Sequence, residues 1–337
     1  MKKVTAIIVN WNDKDVIAEC IQSLLDQNRN EIDIIVSDNG SKDDSVNFIR
    51  KHFPSIKIIE NGENLGFGSA VNRGLGLAKG DYFLFLNSDL KLHSKCVGEL
   101  AKVLESDTNV GGTIPKILYI DQQNTINSLG VLINYTGIAY PNLLGQKDSG
   151  YQEPFESACG GIFMLRREVY ETVGGFDEDL FLYHEDHDLS WRVRLAGWRL
   201  KVVPQAIMHH HYKFNKGVFK YYSSEKNRLH ILLKNMEVKT LALIFPALIT
   251  IEFLQWFHAV LHRWFLLKVK SYIEILKIFP RILIKRKKLK LLRKVSDKEI
   301  TRVYKGTLAI SGTNNPLLTY LLSPALNTYW KIIRHLI

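Results

Sequence analysis

A chain of 337 residues with 46% hydrophobic and 23% charged residues can bury a large core, which excludes a disordered protein. Its formal net charge of +11 asks for an anionic partner: nucleic acid, anionic lipid or a phosphorylated substrate. Cys20, Cys96 and Cys159 are widely spaced and form no CxxC pair, which suggests neither a disulfide framework nor a zinc site and suits a reducing cytoplasm.

The apolar run Val4 to Val9 is too short for a signal peptide and stops at Asn10-Trp11-Asn12-Asp13, so it reads as a first buried strand. From Asp15 to Gln27, Val16, Ile17, Cys20, Ile21, Leu24 and Leu25 recur at helical spacing. A second strand, Ile32 to Val36, ends in Ser37-Asp38-Asn39-Gly40-Ser41, and Ser41 suits the cap of a helix reaching about His52. Ile56 to Ile59 makes a third strand, and Asn64-Leu65-Gly66-Phe67-Gly68 is a loop feeding a helix from Ser69 to Lys79. Tyr82 to Leu86 then runs, rich in aromatics, into Asn87-Ser88-Asp89. This alternation predicts an α/β fold with a doubly wound parallel sheet. Ligands collect beyond the carboxyl ends of such strands, which puts Asp89 where a metal or phosphate is handled, unless it only caps the next helix or closes a turn. In the same cleft Asp38 can accept from a base or ribose, and Gly66 and Gly68 let backbone approach phosphate. The chain has neither GxGxxG after its first strand nor GxxxxGK[ST], which argues against a dinucleotide fold or an NTPase.

Val110 to Glu156 mixes short apolar runs with Gly, Asn and Pro and gives no clear element. Cys159 to Leu165 reads as a buried strand whose Gly160 and Gly161 admit a ligand, and a short helix runs from Arg167 to Gly174-Gly175. After Phe176-Asp177, carboxylates crowd the start of a helix that continues to Ala196. The helix dipole alone explains one or two of them. The apolar lead-in Leu180 to Tyr183 would hold Glu185 and Asp186 at a defined place, which favours function. A strand through Val202-Val203-Pro204 leads to His209-His210-His211. Neighbours on a strand point to opposite faces, so His209 with His211, or His210 alone, meets any one ion, and otherwise the tract is polar surface.

Together these pieces resemble family 2 glycosyltransferases of the GT-A fold, in their bacterial rhamnosyltransferase-like branch. The resemblance rests on Val4 to Asn12, Asp38-Asn39-Gly40-Ser41, Asn64 to Gly68 with Asn72, Leu86 to Asp89, Gly160-Gly161, Gly174 to Asp177, and Glu185 to Asp188, in family order. It implies a Rossmann-like mixed sheet flanked by helices and a nucleotide-sugar donor carrying UDP or dTDP. Asp38 would meet the base, with Asn10, Gly66, Asn72 and Asn87 lining the donor site. Asp89 would be the acid of a DxD-like motif, its first acid replaced by Asn87, and would hold Mg²⁺ or Mn²⁺ with a histidine that counting from Ala206 makes His210. Asp186 matches the catalytic base of an inverting transfer. Glu185, Asp188 and Arg192 would orient that base or bind acceptor, although a solvated helix face suits the arginine equally.

Beyond about Phe214 the composition changes, which divides the chain into a transferase domain, 1–213, and a helical basic and apolar region, 214–337. Thr240 to Leu267 is apolar but interrupted by Pro246, Glu252, Gln255, His258, His262 and Arg263. On a helix the polar members from Glu252 onward fall within an arc of roughly 140°. A span wants about 20 uninterrupted apolar residues, so an interfacial or re-entrant helix is expected. The basic run Arg281 to Lys294 beside it suits an anionic lipid surface, at about 1 kcal/mol per charge. This resembles family members that act on lipid-linked or saccharide acceptors at the cytoplasmic face of a bacterial plasma membrane, in surface polysaccharide assembly. A sugar nucleotidyltransferase needs a similar cleft but neither that tail nor Asp186. A nucleic-acid-binding protein is suggested by charge alone, since the basic excess lies beside apolar helix instead of interleaving with aromatics.

Overall fold

Val4, Ala6, Ile7 and Ile8 are all fully buried, and a strand apolar on both faces needs a helical layer on each. The computed structural model, which describes residues 2–28, 32–212, 217, 219–308 and 316–337, supplies both layers. The expected domain boundary at residues 213 and 214 lies outside the described residues. Strands β1 (Val4–Asn10), β2 (Ile32–Asp38), β3 (Lys57–Glu60) and β4 (Tyr82–Asn87) alternate with helices α1 (Lys14–Leu25), α2 (Ser45–His52) and α3 (Phe67–Leu75). These four strands are parallel in the order β3-β2-β1-β4, with Asn10 across from Asp38 and Val9 across from Asn87. Three polar strand ends therefore share one edge.

The sheet continues as a mixed one. Next come β5 (Leu90–Leu92), α4 (Cys96–Ser106), β6 (Val110–Tyr119), β7 (Ile126–Leu129), β8 (Val131–Ile133), β9 (Ala139–Pro141), β10 (Phe155–Glu156), β11 (Met164–Arg166), α5 (Arg167–Val173), α6 (Glu185–Leu195) and β12 (Arg199–His210). The short β11 is antiparallel to both β4 and β6, and β12 returns parallel to β6. The wholly parallel expectation thus holds for the first four strands and fails at β11, as the implied mixed sheet requires. The unassigned stretch from Val110 hides a central strand because glycines and a proline lie within it. A Cβ on Gly111 would come within 2.7 Å of Trp198, and one on Gly112 within 2.8 Å of Leu200. Pro115 faces an irregularity in β12, whose register jumps from Val203 to Ile207, a place where a residue without an N–H is tolerated.

The C-terminal part is helical: α7 (Phe219–Asn235), α8 (Val238–Leu261), α9 (Phe265–Leu292), α10 (Asp297–Thr301), a π-helical turn at Leu317–Leu322 and α11 (Ser323–Ile333). The single apolar helix expected over Thr240 to Leu267 is two helices, broken where Arg263 takes φ +59°. Part of its polar arc, Glu252 and Gln255, points inward against the interfacial expectation, while His262 and Arg263 stay exposed. Lys268 Nζ, fully buried, donates to Glu252 Oε2 at 2.8 Å and to Gln255 Oε1 at 2.9 Å, and Arg228, Glu225 and Tyr272 complete the cluster. Charges taken out of water must pair with one another, so this face is turned into the protein. Large apolar side chains face outward: Phe245, Ile249, Phe253 and Phe257 of α8 and Leu266 and Leu276 of α9 are 54 to 79% exposed. By length and composition α8 is the one helix among the described residues that is able to cross a membrane.

Much of the basic run is likewise used internally. Arg281 pairs with Asp179 at 3.2 Å, Lys285 with Asp177 and Asp179, Arg286 donates to Leu233 O at 2.6 Å, and Arg293 pairs with Asp297 at 2.8 Å. Lys287, Lys288 and Lys290 stay exposed. Packing runs across the expected boundary, since one core joins Tyr135 and Trp191 to Leu232, Ile244 and Trp330.

Candidate active site

Asp38 is held by its neighbours. Asn10 Nδ2 donates to its Oδ1 at 2.7 Å and to Ser45 Oγ at 2.9 Å, while the amides of Gly40 and Ser41 donate to Oδ2 at 3.0 Å each. Asn10 is fully buried and buttresses Asp38 through its amide, while its Oδ1 has no hydrogen-bond partner. A cavity of about 530 Å³ opens beside Asp38, lined also by Ser41, Asn47, Arg50 and Gly62.

The glycine loop has a different task from the phosphate cradle expected of it. Gly66 takes φ +83°, and a Cβ there would lie 2.1 Å from Phe181 O; one on Gly68 would lie 2.8 Å from Phe176 Cβ. Asn72 is also turned toward that loop, with Nδ2 donating to Phe176 O at 2.9 Å and Oδ1 accepting from Phe176 N at 2.8 Å. Gly66 and Asn72, expected to line the donor site, thus have a role within the protein itself. Both seat the 175–181 loop, Gly66 by leaving room for the Phe181 backbone and Asn72 by pairing with both backbone polar groups of Phe176.

On the far side of that edge, Asp89 Oδ2 lies 3.1 Å from His210 Nε2, and His210 Nδ1 lies 3.1 Å from Asn127 Oδ1. The second carboxylate oxygen, Oδ1, is buried without a hydrogen-bond partner. Antiparallel pairing of β5 with β12 brings the two residues together, with His210 across from Leu90. His211 turns to Glu19 at 2.7 Å, so of the three histidines His210 is the one that meets Asp89. Among the described residues no group of three or more His, Cys, Asp or Glu side chains is arranged to hold a metal. Asn87 ends β4, half-buried, and its carbonyl accepts from the Cys20 thiol at 3.7 Å.

Asp186 enters the same edge from α6. Cys159 Sγ donates to its Oδ2 at 3.5 Å, and a Cβ on Gly161 would lie 3.8 Å from that oxygen. Gly161 is two residues before Phe163, whose carbonyl accepts from Phe85 N at 3.2 Å, so the carboxylate lies by the segment that flanks β4 where Asn87 and Asp89 emerge. Burial pushes the Asp186 carboxyl up. Burial, then the charges of Tyr212 and Glu185, push the Tyr183 phenol up to about 12. Tyr212 in turn packs on His210 with ring centroids 5.1 Å apart. Glu185 is buried in the first turn of α6.

Asp188 and Arg192 are corrected as acceptor ligands. Asp188 is fully buried, with Arg192 Nε at 3.0 Å, Lys234 Nζ at 2.7 Å and Asn235 Nδ2 at 2.9 Å. Burial opposes its ionisation, but Lys234 and Arg192 outweigh that and hold it well below the usual carboxylate range. Arg192 spends its remaining donors on the carbonyls of Val173, Gly174 and Gly175. Residue type alone suited both roles, and burial decides for the internal one. Cys159, Asn127 and Tyr212 were missed as site neighbours, and only the free-thiol count of Cys159 offered any signal.

Residues 5–174, about half of the chain, match the family model of glycosyl transferase family 2, and residues 143–216 match one described as the N-terminal domain of galactosyltransferase. The chain belongs to glycosyl transferase family 2. This glycosyltransferase is 29% identical over 236 residues to the rhamnosyltransferase WbbL of Escherichia coli K12, covering 64% of this chain and 86% of WbbL. It is 27% identical over 210 residues to the N-acetylglucosaminyl-diphospho-decaprenol L-rhamnosyltransferase of Mycobacterium tuberculosis, covering 55% and 68% of the two chains. To the poly-beta-1,6-N-acetyl-D-glucosamine synthase of Staphylococcus aureus it is 24% identical, over 61% of this chain and 49% of the synthase. The crystal structure of GalNAc-T7 with UDP, GalNAc and Mn²⁺ superposes with a TM-score of 0.56 at 17% identity, over 69% of this chain and 48% of that one. That likeness shows the GT-A fold, and this chain spans about half the length of GalNAc-T7. The nucleotidyltransferase and nucleic-acid-binding readings give way to this membership.

Proposed function

We propose that this glycosyltransferase moves a sugar, with rhamnose the first to test, from a UDP or dTDP donor to a lipid-linked or saccharide acceptor during synthesis of a bacterial surface polysaccharide. One observation carries the reading: a carboxylate with an unpartnered oxygen beside an imidazole, Asp89 and His210, shares the strand-end edge with the buried carboxylate of Asp186. In this reading Asp186 takes the proton from the acceptor hydroxyl as its oxygen bonds to the anomeric carbon. The nucleoside diphosphate leaves from the opposite face with the bonding pair, which inverts the centre. Asp89 Oδ1 and His210 Nε2 suit Mg²⁺ or Mn²⁺, and two protein donors leave the remaining positions to ligand oxygens. Such an ion, when bound, compensates the charge building on the diphosphate as a Lewis acid. A panel of nucleotide sugars that includes dTDP-rhamnose and UDP-N-acetylglucosamine, screened by thermal stabilisation, identifies the donor. Calorimetry on Asp89→Ala is then expected to show donor binding weakened about ten-fold or more and no longer responsive to Mn²⁺. Unchanged metal dependence in that variant overturns the assignment.

The reading includes a membrane at the cytoplasmic face. Support comes from the large apolar side chains that α8 and α9 expose over a buried charged cluster, with Lys287, Lys288 and Lys290 exposed at the end of α9. Full-length protein is expected to float with phosphatidylglycerol vesicles, and Phe253→Glu with Leu276→Glu to leave it in the aqueous fraction. Flotation of that double variant to the wild-type extent counts against the membrane seat.

A further inference from the structure

We infer that Asn227 of α7, a helix beyond both family-matched segments, is a positioning residue that holds the loop delivering Asp186. The inference rests on the reading of Asp186 as the base.

The loop from Phe176 to His184 carries no helix or strand of its own, and it ends in an unfavourable turn. Tyr183 and His184 both take φ +67°, a left-handed conformation that side chains other than glycine adopt at an energetic cost and keep only when surrounding structure enforces it. Two residues later comes Asp186. Asn227 supplies the enforcement: its Nδ2 donates to Leu182 O at 2.9 Å and to Tyr183 O at 2.8 Å, and the residue is 1% exposed. Both hydrogens of one amide are thus spent on two successive carbonyls of the turn. An aspartate of the same shape has no hydrogen to offer and would set a charge against both carbonyls.

Neighbours on α7 act on the same loop. Ser224 Oγ, one turn before Asn227, lies 3.2 Å from His184 Nε2, and Lys226 Nζ donates to Asp179 O at 3.2 Å. Farther along, Lys234 pairs with Asp177 at 2.5 Å. From Asp177 to His184 the loop is held from one side by α7. The helical region, 214–337, thus carries part of what sets the geometry of the base.

The test uses the full chain and the three buried cysteines as reporters, since Cys159 touches Asp186 while Cys20 and Cys96 lie elsewhere. In Asn227→Ala and Asn227→Asp, maleimide labelling of Cys159 read by mass spectrometry is expected to quicken about ten-fold or more, with Cys20 and Cys96 as slow as in the wild type. The turnover number with the donor found by the panel is expected to fall about 30-fold, with donor affinity by calorimetry within about two-fold of wild type. Asn227→Ser, which keeps one donor, falls between. Wild-type labelling of Cys159 with turnover within about three-fold of normal overturns the inference. Faster labelling of all three cysteines also overturns it, because that marks a general folding role. Asp186→Asn run alongside separates the two ideas: normal turnover in that variant removes Asp186 as base, whereas selective exposure of Cys159 still reports the hold of Asn227 on the loop.

Discussion

Replacing Asp186 by asparagine lowers the rate of sugar transfer by about 10²–10⁴-fold, the span that loss of a general base produces, while nucleotide-sugar affinity stays near the wild-type value. The carboxylate sits beside Cys159 and Gly161, while Asp38 and Asp89 are held by partners of their own, so its loss removes a proton acceptor and leaves the donor's other contacts standing. The pH profile of the wild type carries the same information. Burial raises the Asp186 pKa in the folded protein. As pH falls through that raised value the carboxylate takes up a proton and can no longer accept one from the acceptor. The acidic limb of kcat is therefore expected above the ordinary aspartate value of about 3.9, and its absence from the residual activity of Asp186→Asn is the check. A variant that keeps normal turnover removes the assignment.

Lys234→Met is expected to cost about 3–5 kcal/mol of stability, the effect of deleting one partner of a buried ion pair, read as a lower urea midpoint with unchanged slope. Lys234 Nζ lies 2.5 Å from Asp177 and 2.7 Å from Asp188, and all three side chains are at most 5% exposed. Burial alone would raise the Asp177 pKa, but Lys234 and Lys285 outweigh it and hold it at about 2. Both aspartates are thus depressed relative to the unfolded chain. Their contribution is fully present above the unfolded aspartate pKa of about 3.9 and is lost as pH falls through the folded values. The exposed Lys287, changed to methionine, serves as control, with an expected effect within about 0.5 kcal/mol. A Lys234→Met variant as stable as that control would show that α7 docks without the shared cation.

The two variants probe the parts of the molecule that differ most in how far the sequence exposes them. The strands β1 to β4 and the polar residues that end them are legible because a buried strand is a short apolar run, and its last residue is where the run stops. The position of Asp186 at the head of α6 is legible for the same reason, from the apolar lead-in before it. Side-chain direction is not. Asn10, Asn72, Asp188 and Arg192 have the chemistry of ligand-binding groups, yet each is spent on the protein's own backbone or charges. Such groups serve a ligand and a buried carbonyl equally well, and only the neighbours choose between them. The glycines at 66 and 68 belong with these, since the room they leave is taken by the chain itself.

By itself, the sequence determined the alternation of strand and helix, the edge at which the polar strand ends meet, and the greasy, basic character of the last third, because these depend on periodicity and composition along the chain. Tertiary structure alone decided that His211 turns to Glu19, that Gly111, Gly112 and Pro115 lie inside a central strand, and that Glu252 and Gln255 of α8 face α7 and α9. Those outcomes depend on which distant segment supplies the opposing surface. A buried donor, acceptor or charge takes its role from the partner that replaces water, and that partner is set by the fold and not by adjacent residues.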